Sequence, residues 1–177
     1  MLISDEYKAL NAKEHADNNG FGVQGYKHLQ LVLQLAEQYG ATSVLDYGCG
    51  GATLSAHARK ISPLPFFNYD PAIEKHSAMP AKADMVVCTD VLEHIEPLCL
   101  TSVLQHLQTL TGKVAFIEVA CRPAKRVLAD GRNAHLMQRD GMFWFDSLRE
   151  FFDVVSFKGK PGHSATFVLV RGGTAWT

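Results

Sequence analysis

A glycine-rich turn carries the clearest chemical signal in this sequence. A short apolar run ends in Asp46, and the chain continues as Tyr47-Gly48-Cys49-Gly50, just before a segment with helical character. Glycines let the backbone turn sharply and bring its N–H groups close to a ligand, and the start of a helix favours a carboxylate or phosphate. In α/β folds, a strand, turn and helix of this kind hold nucleotide-like ligands. The turn therefore predicts a site for a nucleoside-containing molecule.

The spacing of the glycines and of two later acids narrows that prediction. The pattern Asp-x-Gly-x-Gly has neither the third glycine of a dinucleotide fingerprint nor the Gly-Lys-Ser/Thr of a phosphate-binding loop. Asp70, followed by Pro71, comes directly after an aromatic run that predicts a second strand, and a carboxylate there can accept both hydroxyls of a ribose. A third buried strand is predicted to begin near Asp84 and to end at Thr89 and Asp90.

A histidine in a polar loop is the candidate general base. His135 lies in the segment after a predicted strand over 113–120, together with Arg122, Arg132 and Asn133. The ordinary pKa of histidine suits the removal of a proton from a hydroxyl or a protonated amine. A second interpretation makes His135 a loop anchor that bonds to the backbone. The other three side chains could clamp an anionic or amide-bearing molecule, or they could be ordinary solvated loop residues.

The three segments together resemble class I S-adenosylmethionine-dependent methyltransferases, most closely the group whose fourth strand ends in (Asp/Glu)-Val-Leu-Glu-His-(Ile/Val). The matching run is Asp90-Val91-Leu92-Glu93-His94-Ile95, and the resemblance covers residues 43–170. It implies methyl transfer from S-adenosylmethionine. The cofactor-binding set that follows from it is Asp46, Gly48, Cys49, Gly50, Asp70, Pro71, Thr89 and Asp90. The candidates for catalysis are His135 and Asp90.

The resemblance also raises the question of a divalent metal. Some relatives carry a Glu-x-x-Glu-His run whose metal lowers the pKa of an acceptor hydroxyl. The equivalent ligands here would be Asp90, Glu93, His94 and a distant His135, a set that suits magnesium, manganese or zinc. Many relatives with Val-Leu-Glu-His bind no metal, and we therefore predict none.

The composition indicates one α/β domain. The chain has 177 residues and a net charge of −1, so no overall basic field points to nucleic acid. Its four cysteines form no C-x-x-C pair, which favours reduced core thiols over disulfides or a zinc site. Neither an export signal nor a membrane segment is visible, so we expect a cytoplasmic protein without a membrane partner. The sequence does not indicate an oligomeric state.

The periodicity predicts a Rossmann-like methyltransferase sheet, mostly parallel, with an antiparallel C-terminal strand. An N-terminal helical segment or lid (1–42) should pack on a methyltransferase-like domain (43–177). Helices are predicted over 26–39, 97–110 and 143–152, and a final strand pair over 154–157 and 166–170. Residues 71–83 are too few for the usual helix and edge strand, so that strand should be missing or vestigial. The loop 71–82 would then cover the adenine, and residues 21–26 could close over the cofactor.

Three functions are compatible with these residues. The first is methyl transfer to an oxygen or nitrogen of a small-molecule acceptor. The second is methylation of a nucleic acid or modified nucleoside, which would be favoured if Lys125, Arg126, Arg132 and Arg139 formed one basic face. The third is a non-catalytic cofactor-binding or assembly module. Fold alone does not choose between them, because chemistry depends on the site.

Overall fold

The computed structural model of the protein describes residues 1–17, 22 and 24–172. The strands are β1 Val44–Tyr47, β2 Phe66–Tyr69, β3 Ala83–Thr89, β4 Thr111–Ala120, β5 Phe152–Lys160 and β6 Ser164–Arg171. The helices are α1 Asp5–Asp17, α2 Leu29–Gln38, α3 Thr53–Ala58, α4 Leu100–Leu110 and α5 Gly141–Arg149. Short 3-10 helices cover Gly25–His28, Glu74–His76, Leu92–His94 and Pro97–Cys99.

The six strands form one sheet in the order β2-β1-β3-β4-β6-β5. Strand β1 pairs in parallel with β2 and β3, and β3 pairs in parallel with β4. Strand β6 runs antiparallel to both of its neighbours, β4 and β5. The predicted fold class is therefore confirmed.

Strand β2 forms one edge of the sheet, and the further strand that is usual beyond it was predicted to be missing or vestigial. Residues 70–82 contain no strand, and their only regular element is the 3-10 helix Glu74–His76. Pro71 and Pro80 lie in this short connection, and proline lacks the N–H that a strand ladder needs. The prediction of an absent edge strand is correct.

Helices cover both faces of the sheet. On one face, α4 and α5 pack on a cluster that includes Ile117, Trp144 and Leu148. On the other face, α2 and α3 pack on a cluster that includes Leu54 and Phe116. The central strands β1 and β3 are almost wholly buried, as apolar parallel strands between two helical layers must be.

Several predicted boundaries were wrong. The helix predicted over 26–39 is α2, Leu29–Gln38, preceded by a 3-10 helix, and the strand predicted over 154–157 is β5, Phe152–Lys160. The aromatic helix predicted over 143–152 is α5, which begins two residues earlier and ends at Arg149, because Phe152 opens β5. Its start is set by Asp140, whose carboxylate accepts a hydrogen bond from the Phe143 N–H. Strand β4 begins at Thr111, directly after α4, so Gly112 lies inside this strand.

Helix α1 lies outside these two layers and packs on the segment that follows β4. Tyr7 is buried against Leu128 and Ala134. Ser4 precedes the helix and donates two hydrogen bonds of 2.8 Å to the carboxylate of Glu96. These contacts hold α1 across the carboxyl ends of the parallel strands. No helix within 1–17, 22 and 24–172 has both the length and the apolar character of a membrane span.

Candidate functional site

A cavity of about 610 Å³ opens at the carboxyl ends of β1 to β4. Helix α1 and the segment after β4 form its opposite wall. It is of the size of small-molecule sites in general. The structure brings all the predicted cofactor and catalytic residues to this one cavity: Asp46, Gly48, Cys49, Gly50, Asp70, Pro71, Thr89, Asp90 and His135.

The glycine turn is closely packed. Gly48 has a φ of 76°, and a Cβ there would lie 2.3 Å from Cγ2 of Val91. Gly50 has a φ of 49°, and its Cβ would lie 2.6 Å from the carbonyl oxygen of Gly22. The N–H groups of Gly48 and Cys49 donate to the Tyr69 carbonyl at 2.7 and 3.1 Å. Side chains are therefore excluded at both glycines by packing as well as by backbone conformation.

Two carboxylates flank the turn. Asp70 accepts the N–H of Gly50 on Oδ2 and the N–H of Ala72 on Oδ1, both at 3.0 Å. Each oxygen of an ionised carboxylate has a second lone pair, so Asp70 can also accept ligand hydroxyls. Asp46 is 4% exposed, and its burial, reinforced by the nearby charge of Asp70, raises its pKa to about 7. A positive group beside Asp46 would favour its ionised form.

Asp90 lies where β3 leaves the sheet, next to Thr89. It has a φ of 55°, and its N–H donates to the Glu118 carbonyl at 3.1 Å. Burial, and then the charge of Glu118, raise the pKa of Asp90. Glu118 is itself paired with His28, 2.7 Å from Nε2 to Oε2. Asp90 and Glu118 thus form a second pair of acidic residues at the carboxyl ends of the strands.

Two histidines face each other across the cavity wall. Their rings are 4.9 Å apart and nearly perpendicular. Nδ1 of His94 lies 2.7 Å from the Ala134 carbonyl, and Nδ1 of His135 lies 2.6 Å from the Arg122 carbonyl. A carbonyl only accepts, so we assign the proton to Nδ1 in both rings, which gives Nε2 the lone pair in the neutral form. Burial lowers the pKa of His94 to about 4, so it is neutral at pH 7. His135 is therefore anchored to the backbone and also has a basic nitrogen.

Glu93 lies beneath this pair and is fully buried. Its Oε1 accepts the Ala120 N–H at 2.9 Å, while its Oε2 has no hydrogen-bond partner in the part of the chain that the structure describes. Burial, and then the charge of Asp90, raise the pKa of Glu93 to about 8. A buried carboxyl oxygen without a partner is unusual, and a proton or a cation would compensate it.

Of the four residues that would be ligands if a metal were bound, three come together. Donor atoms of Glu93, His94 and His135 lie within 4.8 Å of one another. Asp90 does not join them, which corrects that part of the set: its side chain is short, and its left-handed backbone lies beside Glu118. Two ligand atoms that bind one metal ion at roughly 2.0–2.2 Å cannot be more than about 4.4 Å apart. The donor atoms of these three side chains would therefore have to move slightly closer together to bind a metal. Histidines whose Nδ1 is held by a carbonyl suit a metal through Nε2.

Most of the predicted clamp residues are engaged within their own loop. The Asn133 side chain accepts the N–H groups of Ala124 and His135 and donates to the Ala124 carbonyl. Arg132 pairs with Asp130, 2.6 Å from Nη2 to Oδ2. Arg122 does line the cavity, as the prediction required.

The sequence predicted an N-terminal helical segment packed on the domain, but it did not identify the α1 side chains that line the cavity. Tyr7, Asn11 and His15 all line the cavity, and they occupy positions i, i+4 and i+8 of the helix. That spacing places them on one face. The signal was weak because this inward face is polar, whereas an ordinary surface helix buries an apolar stripe. His15 Nε2 lies 4.0 Å from Oδ2 of Asp70.

The predicted lid is only partly within the described structure. Phe21 and Val23 lie outside the described residues. The Gly22 carbonyl accepts the Gly51 N–H at 2.9 Å, and Gln24 and Gly25 line the cavity. The described part of the segment therefore lies against the glycine turn.

Several solved methyltransferase structures share this fold. The 1,6-didemethyltoxoflavin-N1-methyltransferase of Burkholderia thailandensis, solved with bound 1,6-didemethyltoxoflavin and S-adenosylhomocysteine, has a TM-score of 0.68 at 14% identity, covering 95% of this chain and 90% of that one. The N-methyltransferase NodS of Bradyrhizobium japonicum, with S-adenosylhomocysteine, has a TM-score of 0.61 at 12% identity, covering 96% of this chain and 100% of that one. The methyltransferase domain of bacterial CtHen1-C has a TM-score of 0.61 at 14% identity, covering 84% of this chain and 98% of that one.

Sequence comparison gives the family. No curated protein matches this sequence. Residues 14–157, most of the chain, match the family described as a methyltransferase domain. The chain belongs to this methyltransferase domain family.

Proposed function

We propose that the protein transfers the methyl group of S-adenosylmethionine to an oxygen or nitrogen atom of a small-molecule acceptor. The observation that carries this proposal is that one cavity holds a carboxylate-flanked glycine turn at one end and a histidine pair at the other. Solved neighbours with S-adenosylmethionine or S-adenosylhomocysteine support the choice of cofactor.

The glycine end has the groups that this cofactor requires. Asp70 would accept ribose hydroxyls on its remaining lone pairs. The backbone of Gly48 and Gly50 would contact the methionine part, where no side chain intervenes. Asp46 would complement its positive charge and become fully ionised. S-adenosylmethionine supplies an activated methyl group on a sulfonium.

The histidine end would orient the acceptor and remove its proton. Methyl transfer is an in-line displacement, so most of the rate enhancement comes from positioning. His135 would accept a proton on Nε2, because its Nδ1–H is held by the Arg122 carbonyl. Asp90, the other candidate catalytic residue, would stabilise the positive charge on that ring.

The test begins with calorimetric titration of metal-stripped protein with S-adenosylmethionine, for which we expect micromolar binding. Turnover is then followed as S-adenosylhomocysteine formed with a panel of phenols, amines and carboxylic acids. His135→Asn preserves a donor to the Arg122 carbonyl but removes the basic nitrogen. We expect a loss of about 10²–10⁴-fold in turnover with unchanged cofactor affinity. His163→Asn, in the β5–β6 turn, is the control. Full turnover in His135→Asn would mean that His135 is not the general base and only anchors its loop to the backbone.

A second candidate adds a divalent cation to the same reaction. It is favoured by the unpartnered Oε2 of Glu93, which lies in the group with His94 and His135. A cation there would lower the pKa of an acceptor hydroxyl. Adding Mn²⁺ or Zn²⁺ to stripped protein should then raise its melting temperature, and His135→Asn should abolish the rise. An unchanged melting temperature in the wild type would exclude this candidate.

The nucleic-acid alternative has less support from the charges. Of the four residues in the predicted basic face, Arg126 pairs with Glu14 at 3.3 Å and Arg132 pairs with Asp130. Arg139 lies over the Phe143 ring, 5.2 Å from its centroid. Binding to RNA or DNA that weakens steeply with salt would restore this alternative. A protein that binds no cofactor would instead be the non-catalytic module.

A further inference from the structure

Charge is divided between the two ends of the cavity. Among the described residues that line it, the acids are Asp46, Asp70 and Asp90, all where parallel strands end. The wall formed by α1 and the segment after β4 contributes three basic side chains and, within the described lining, no acid; these are Arg122, Lys125 and Arg126. A positive cofactor suits the acidic end, so the other end is left for a molecule of opposite charge.

Two of these cations are available to a ligand. Arg126 is held by Glu14, and its charge is balanced there. Arg122 and Lys125 form no ion pair within the described part of the chain. The charge of Arg122 also acts on the nearby Asp90 carboxyl, whose pKa it lowers against the larger effects of burial and Glu118. The Arg122 carbonyl also fixes His135, so its side chain begins beside the candidate base.

The same wall has buried hydrogen-bonding capacity. Tyr7 is 3% exposed and lines the cavity, and its hydroxyl lies beside the Asn11 side chain without forming a hydrogen bond of regular geometry among the described residues. Burial raises the pKa of Tyr7, so the hydroxyl remains a donor. Asn11 uses its Nδ2 on the Tyr7 carbonyl at 3.1 Å. Unsatisfied buried donors beside a cavity are explained by a ligand that accepts from them.

Apolar side chains from several elements also line the cavity. Those that could contact the body of an acceptor are Leu2 and Ile3 before α1, Ile95 after the 3-10 helix Leu92–His94, Val103 of α4, and Pro123 and Ala124 after β4. Apolar walls with a few convergent polar groups are typical of sites that orient small molecules.

We propose that the methyl acceptor is a small molecule with an apolar body and an anionic group, a carboxylate or a phosphate, which Arg122 and Lys125 bind at the rim of this wall. Tyr7 and Asn11 supply neutral hydrogen bonds to its polar atoms. The inference rests on the proposed function, because it assumes that the cofactor occupies the acidic end.

The test uses matched probes on protein saturated with S-adenosylhomocysteine. Titration with S-adenosylhomocysteine comes first, and its failure in the wild type would reject the proposed function rather than this inference. Ligand-observed NMR then compares benzoate with benzamide, and phenyl phosphate with benzyl alcohol. We expect each anion to bind about tenfold or more tighter than its neutral partner, the scale of a charge-assisted hydrogen bond. The preference should shrink as salt rises.

Paired charge removals assign the effect to the two cations. The double variant Arg122→Gln and Lys125→Gln should bind anion and neutral partner about equally, with its affinity for S-adenosylhomocysteine within about twofold of the wild type. The control, Arg139→Gln and Lys158→Gln, removes the same charge away from the cavity and should keep the preference. The inference is overturned if wild type shows no preference or binds no probe, or if the double variant keeps the preference.

Discussion

The two ends of the cavity are assembled differently. The glycine end, where we propose that the cofactor binds, comes from the ends of neighbouring parallel strands, and its contacts are mostly backbone to backbone or backbone to carboxylate. The histidine end, where we propose that the acceptor binds, is held by side chains far apart in sequence: Ser4 bonds Glu96 across 92 positions, and Arg126 bonds Glu14 across 112. Binding of the cofactor should therefore depend on backbone geometry, and binding of the acceptor on individual side chains.

The largest effect should come from Gly48→Val. The new side chain would overlap Val91 and would require a φ of 76°, which β-branched residues avoid. We expect cofactor affinity to fall by about 100-fold or more, measured by calorimetric titration of folded protein. Gly162→Ala is the control for backbone strain alone, because Gly162 has a φ of 65° and nothing within 4 Å of its Cβ. Normal affinity in Gly48→Val would mean that the cofactor does not lie on this turn.

This contrast also explains what the sequence could predict. The sheet and the residues from Asp46 to Asp90 follow patterns that are local to a strand and its turn, and the structure brings them to one cavity. The missing edge strand was predictable because chain length limits what 71–83 can form. The residues of α1 that face the cavity were not predictable, because a helix with a polar inward face has no apolar period that identifies this face. The position of Asp90 outside the group of possible metal ligands was not predictable, because it depends on a local backbone conformation that residue types do not specify.

Asp46→Asn tests the electrostatics of the cofactor end. The folded protein raises the pKa of Asp46 to about 7 from an ordinary value of 3.8, so the folded state binds more protons than the unfolded state between those values. Without ligand, wild-type stability should therefore fall relative to Asp46→Asn as the pH rises from about 4 to about 8, by roughly 2–4 kcal/mol. Denaturant unfolding of both proteins across this range measures the difference. A constant difference would show that Asp46 titrates normally.

Asp70→Ala tests the ribose contact. Losing charge-assisted hydrogen bonds should weaken cofactor binding by about 1.5–3 kcal/mol, and the Gly50 N–H would lose its acceptor as well. Titration calorimetry checks this, with Asp153→Ala, an exposed acid on β5, as the control. If both variants bind equally well, Asp70 does not hold the ribose.

The smallest effect should appear at the histidine end. Tyr7→Phe removes a buried hydroxyl that has no regular hydrogen bond among the described residues, so the ligand-free protein should become more stable by about 1 kcal/mol, or about 2–4 °C in melting temperature. Tyr39→Phe, half-buried on the far side of the sheet, should change little. Sites that bind ligands often sacrifice stability in this way, because their polar groups are satisfied only when the ligand arrives. A lower melting temperature for Tyr7→Phe would mean that the hydroxyl stabilises the fold. It would then not be a free donor for the methyl acceptor.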